Sequence, residues 1–95
     1  TVTFNNGSAV NQHNWVLVRA EDKAGVVADG TGAGPANDWI KADDPRVIAS
    51  TSLLNPGDTA EVRFTAPEPG TNYQFVCTFP GHDASGMFGN FQVSP

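Results

Sequence analysis

The single cysteine, the single methionine and one of the two histidines fall together in residues 77–87, Cys77-Thr78-Phe79-Pro80-Gly81-His82-Asp83-Ala84-Ser85-Gly86-Met87. A thiolate, an imidazole and a thioether on one short segment suit a soft transition metal. Copper cycling between two oxidation states fits best, because two imidazoles and a thiolate, with a long weak bond to Met, form the electron-transfer copper geometry. The second imidazole then has to come from elsewhere, and His13 is the only other histidine. Taken singly, such a cysteine is a small buried hydrophobe, such a methionine fills a gap in a core, and such a histidine is a solvated side chain. Their grouping favours the metal, since Pro80-Gly81 and Gly86 supply turns at a spacing where three side chains can converge.

The string Cys-Thr-Phe-Pro-Gly-His over residues 77–82, Met87 five residues further on and His13-Asn14-Trp15 far upstream resemble the blue copper proteins, or cupredoxins. Within them the chain is most similar to the azurin and auracyanin branch: the 77–82 string is azurin-like, and the four-residue gap between His82 and Met87 is closer to auracyanin. The similarity runs through most of the chain. It implies a Greek-key β-sandwich that holds one type 1 copper ion. The ligands it implies are Cys77 as thiolate, His13 as buried imidazole, His82 as exposed imidazole and Met87 as axial ligand. It further implies that the Asn14 side chain ties the two ligand-bearing segments together near Thr78, a contact of the kind that orients ligands and tunes a metal. Partners would be redox proteins such as cytochromes or oxidoreductase complexes. The location would be periplasmic or extracytoplasmic, free or tethered to a membrane through a segment outside this sequence.

Ninety-five residues suffice for one domain with a single core and little stability to spare. Ten glycines and seven prolines favour short strands joined by turns. One cysteine excludes an internal disulfide and a dinuclear copper centre bridged by two thiolates. No apolar run approaches the ~20 residues that span a bilayer, and the first residues carry no basic-then-apolar leader, so a mature or trimmed soluble chain is expected. Five basic residues against ten acidic ones give a net charge of -5, which disfavours nucleic acid and anionic membranes and favours neutral or cationic protein partners.

The elements that must position the ligands follow from periodicity. Residues 1–5 alternate as a half-buried strand and end in the turn Asn6-Gly7-Ser8. The family places further strands ahead of this one, so the resemblance implies that the N-terminal part of the fold is missing here. The open sheet edge would need cover from a flap, from absent residues or from another copy of the chain, the last two being favoured. Residues 10–19 form the next strand, polar at first and continuously apolar from Trp15, with His13 where a loop enters it. Residues 21–50 are the least regular: the glycines from Gly25 to Gly34 break any long element, and residues 36–42 make a helix of about two turns before Pro45. Trp39 packs this flap. The glycines are no phosphate loop, since no Lys-Ser or Lys-Thr follows them.

Residues 47–54 are a strand that meets the turn Asn55-Pro56-Gly57-Asp58, and residues 60–66 alternate again. After the turn Pro67-Glu68-Pro69-Gly70, a strand over 71–77 sets Tyr73, Phe75 and Cys77 on one inward face. A last strand over 87–93 sets Met87, Phe91 and Val93 on a common face, so strands anchor both ends of the ligand loop. This count makes an all-β, two-sheet antiparallel sandwich with a short helix in the flap. An electron carrier, not an enzyme, is the leading function. The alternative is a copper-binding accessory, storage or delivery domain, or a fragment of a larger copper oxidoreductase. A cysteine hydrolase is a weak third reading, because Cys77 and His82 share one short loop with no evident orienting carboxylate or oxyanion donors. The resemblance makes His82 the exit for electrons, framed by the apolar or small residues Phe79, Pro80, Ala84, Gly86 and Phe88.

Overall fold

Strand β2, Val16–Arg19, sets the layering, because its side chains are buried on both faces. Leu17 and the preceding Trp15 point into one cluster with Val62 and Tyr73, while Val16 and Val18 point into a second with Val26 and Val76. A strand covered on both sides reads as an unbroken apolar run, and this is why alternation is lost from Trp15 onward. The computed structural model describes residues 2–7, 12–69, 72–79 and 88–93.

Beside β2, the strands are β1 (Val2–Asn5), β3 (Ala49–Ser50), β4 (Thr59–Val62), β5 (Tyr73–Val76) and β6 (Phe88–Phe91). They form two antiparallel sheets, one ordered β3-β2-β5-β6 and one pairing β1 with β4. Among the described residues the far edge of β1 has no strand partner. The first cluster lies between the sheets, where Val2, Phe4 and Phe64 meet Phe75, Phe91 and Val93 around Trp15. The Trp15 ring lies 6.1 Å from Phe64, 6.2 Å from Phe75 and 6.4 Å from Phe91, tilted, stacked and edge-on respectively, the offset geometries that aromatic pairs prefer. The fold is the all-β sandwich that the alternation predicts. The strand expected over 47–54 is shorter as a ladder, yet Ile48 and Thr51 still donate to the carbonyls of Leu17 and Trp15, so the segment follows β2.

The flap differs from the expectation. Helix α1 occupies Lys23–Ala33, across the very glycines expected to break it, after a 3-10 turn at Ala20–Asp22. Residues 36–42 are no helix: a single 3-10 turn at Pro35–Asn37 gives way to left-handed backbone at Asp38 and Trp39. Glycine inside a helix costs about 1 kcal/mol against alanine. Here the missing side chains admit close neighbours. A Cβ at Gly25 would strike the guanidinium of Arg46, and one at Gly30 would strike the backbone carbonyl of Trp39. Val26 is fully buried on the same helix, closing the outer face of the larger sheet over Val16, Val18 and Val76. Arg46 fixes the arrangement by gripping both oxygens of Asp44 at 2.9 Å and reaching Asp29 on α1. Its guanidinium holds the Asp44 carboxyl below the usual carboxylate range. Lys23 places its ammonium 3.5 Å above the half-exposed Phe88 ring, joining α1 to β6.

Alanine at the two glycines separates these contacts. Gly25→Ala requires only a flexible side-chain end to move, and it gains helix propensity. Gly30→Ala has to displace backbone. Denaturant unfolding should show Gly30→Ala destabilised by about 1–3 kcal/mol and Gly25→Ala by less. The reverse order would mean that α1 is not seated through Gly30.

Candidate metal centre

Antiparallel pairing of β2 with β5 matches Val16 with Val76. Continued two residues past the ends of these strands, the same register sets Asn14 opposite Thr78. At that rung the Thr78 N–H donates to Asn14 Oδ1 at 2.8 Å, and Asn14 Nδ2 donates to Thr78 Oγ1 at 2.8 Å. The same Nδ2 donates to the Asp38 carbonyl in the flap at 3.0 Å. Asn14 thus links the segment before β2, the segment after β5 and the flap, and it does so at 1% exposure.

One residue to either side of this rung stand the candidate ligands. His13 Nδ1 lies 3.6 Å from Cys77 Sγ, although the residues are 64 apart in sequence. His13 is held through its backbone, donating to and accepting from Leu54 at 3.1 and 2.8 Å. The Leu54 carbonyl also accepts from the buried side chain of Asn6 at 3.0 Å. Beyond Cys77 the recess is mostly apolar, lined by Phe4, Trp15, Phe75, Val76 and Phe88. Asn6, Thr51, whose hydroxyl accepts from the Trp15 N–H, and the Asp38 carbonyl are supports that the sequence did not reveal. The two side chains resemble ordinary turn residues, and every residue has a carbonyl.

Burial governs the electrostatics. It pushes the Cys77 thiol up, while hydrogen bonds from the backbone N–H groups of Asn14 and Phe79 pull it part of the way back. It pushes His13 down. Both groups are therefore neutral near pH 7 without metal. An imidazole in that state offers a lone pair, and a thiol in that state loses its proton on binding a metal. A raised, 3% exposed thiol is not an activated nucleophile, which argues against the hydrolase reading. Two donors 3.6 Å apart can both reach one first-row ion through bonds of about 2.0–2.3 Å, so the residues present fit a metal of the soft, N/S-seeking kind. His82 and Met87, together with Pro80, Ala84 and Gly86 of the expected exit patch, lie outside the described residues.

A family described as copper binding proteins, plastocyanin/azurin family, matches residues 1–94. The chain belongs to this family. Its cofactor is a single copper ion. This cupredoxin is 46% identical over 84 residues to auracyanin-A of Chloroflexus aurantiacus, a match covering 86% of this chain and 51% of that protein. It is 45% identical over 84 residues to an azurin of Achromobacter denitrificans, covering 86% of this chain and 56% of that one. The chain spans about half the length of the curated relatives it matches. Among solved structures, the reduced auracyanin of Roseiflexus castenholzii superposes with a TM-score of 0.90 at 44% identity, over 99% of this chain and 75% of that one. An azurin from Methylomonas sp. strain J superposes with a TM-score of 0.85 at 28% identity, over 100% of this chain and 81% of that one.

The two buried neutral groups predict how the metal-free cupredoxin responds to pH. An unfolded imidazole takes up a proton below about 6.5, and buried His13, with its lowered pKa, resists doing so. The unfolded chain then binds more protons, and stability falls as pH drops through that value. An unfolded thiol ionises above about 8.5 and buried Cys77 resists, so stability also falls on the alkaline side. Urea unfolding of the metal-free protein should therefore show a plateau between these values. In His13→Phe the acid-side slope just below 6.5 should flatten, and an unchanged slope would remove His13 as its cause.

Proposed function

We propose that this chain is a type 1 blue copper unit that passes single electrons between redox proteins. The observation that carries the reading is the buried Cys77–His13 pair, 3.6 Å apart and locked by the Asn14–Thr78 hydrogen bonds. In this reading His13, Cys77, His82 and Met87 would hold the ion, with Met87 as the weak axial donor. Copper in such a set supplies a one-electron couple, whose potential follows the axial ligand and the hydrogen bonding around the sulfur.

The protein's own share of the work is to keep the ligands still. His13 is bonded through its backbone to Leu54, and Cys77 continues β5 as a buried residue beside a mostly apolar recess. Ligands held in one arrangement need little reorganisation when the charge of the ion changes. Buried ligands also suit an electron carrier better than a delivery protein, which needs exchangeable ones. Electron exit at His82, through its apolar surround, belongs to this proposal. So do partners of the cytochrome or oxidoreductase kind, approached by a protein of net charge -5, and a periplasmic or extracytoplasmic setting. Among the described residues no helix is long and apolar enough to cross a membrane.

A visible spectrum of the copper-loaded protein tests the reading. An intense thiolate-to-copper band is expected in the parent. Cys77→Ser should abolish that band and leave the fold intact, because a hydroxyl replaces the thiol with little change of volume. A blue band surviving in Cys77→Ser would sink the assignment. Met87→Gln should keep a coloured site at a lower reduction potential, since an oxygen donor favours the oxidised ion. An unchanged potential would remove Met87 from the ligand set.

A further inference from the structure

Asp38 and Trp39 both take left-handed backbone, with φ of 54° and 59°. Such a conformation costs a non-glycine residue about 1–2 kcal/mol and persists only where its surroundings over-determine it. Four contacts do so here. The Asp38 carbonyl accepts from Asn14 Nδ2 at 3.0 Å. The Trp39 N–H donates to the Gly34 carbonyl at 3.1 Å. The Trp39 carbonyl sits in the notch left by the absent side chain of Gly30. The Trp39 ring meets Phe79 edge-on, with centroids 5.6 Å apart and planes at 66°.

The two residues that this turn touches across the site, Asn14 and Phe79, both donate backbone N–H groups to the Cys77 sulfur. Asp38 holds one through a polar contact and Trp39 holds the other through its ring. We propose that the Asp38–Trp39 turn, seated against Gly30, is a positioning device that sets how firmly Asn14 and Phe79 donate to the Cys77 sulfur, and so tunes the reduction potential of the copper site. This rests on Cys77 being the thiolate ligand.

The direction follows from charge. Hydrogen bonds to a ligating sulfur withdraw electron density from it and favour the reduced ion. Loosening them leaves more charge on sulfur, favours the oxidised ion and lowers the potential. Trp39 acts here by its shape and not by its N–H, for Nε1 is buried with no hydrogen-bond partner among the described residues. Phenylalanine should therefore stand in for it.

The test uses the copper-loaded protein and its Trp39→Ala, Trp39→Phe and Gly30→Ala variants, with Val62→Ala as a control that loses core packing away from the turn. Voltammetry should show a lower potential in Trp39→Ala and in Gly30→Ala, and a potential near that of the parent in Trp39→Phe and Val62→Ala. The metal-free proteins give a second readout: in Trp39→Ala the amide protons of Asn14 and Phe79 should move upfield and exchange faster than in the parent. An unchanged potential and unchanged amides in Trp39→Ala overturn the proposal, as does an equal shift in Val62→Ala. If the parent itself forms no blue site, the electron-transfer reading fails and takes this inference with it. A blue parent with an unshifted Trp39→Ala variant defeats this inference alone.

Discussion

The buried amide of Asn14 is the constraint on which the site depends. Its oxygen takes the Thr78 N–H, and its nitrogen serves both the Thr78 hydroxyl and the Asp38 carbonyl. At 1% exposure no water can replace these partners freely, and a buried polar group left unpaired costs about 1–3 kcal/mol. These three bonds therefore tie the segment before β2, the segment after β5 and the flap to one side chain. His13 and Cys77 flank this rung, so their separation is set by a hydrogen-bonded unit and not by the wandering of two loops. The two candidate donors inherit the stiffness of the sheet.

That stiffness is built from layers on both sides of β2. Trp15 and Leu17 lock it to the smaller sheet through an aromatic cluster, and Val16 and Val18 lock it to α1. The helix is seated close to the flap because Gly30 leaves room for the Trp39 carbonyl, and the missing side chain at Gly25 leaves room for the end of Arg46. The intrinsic weakness of a glycine-bearing helix is thus offset by docking. Arg46, bridging Asp44 and Asp29, closes the same arrangement with charge. Helix and flap in turn bring Asp38 to Asn14 and Trp39 to Phe79, so packing on the outer face reaches the neighbourhood of the sulfur.

Burial also decides the chemistry open to the site. Cys77 is kept a neutral thiol and His13 a neutral imidazole, a poor basis for nucleophilic catalysis and a good one for holding a soft metal whose binding expels the thiol proton. The hydrogen bonds from Asn14 and Phe79 act against burial at the sulfur, favouring the charged thiolate that a metal needs.

Much of this was written in residue types and in local periods. Cysteine, histidine and methionine crowded onto turn residues announced a soft metal. The alternation of 60–66 and of Tyr73, Phe75 and Cys77 announced strands with one buried face, and Thr59–Val62 and Tyr73–Val76 are strands. His13 and Asn14 stood out through their resemblance to family positions, and the structure brings them to Cys77 and Thr78. The flap was legible only as irregular, and its helix was placed wrongly. Gly25 and Gly30 look like helix breakers when judged by propensity, which is a property of one residue and its near neighbours. Their actual role is to admit Arg46 and Trp39, whose nearness is a property of segments remote in sequence. The left-handed turn at Asp38 and Trp39, the bond from Asn14 to a backbone carbonyl and the two N–H groups aimed at sulfur were hidden for the same reason. Backbone groups are identical in every residue, and only tertiary packing decides which of them come within reach of a buried side chain.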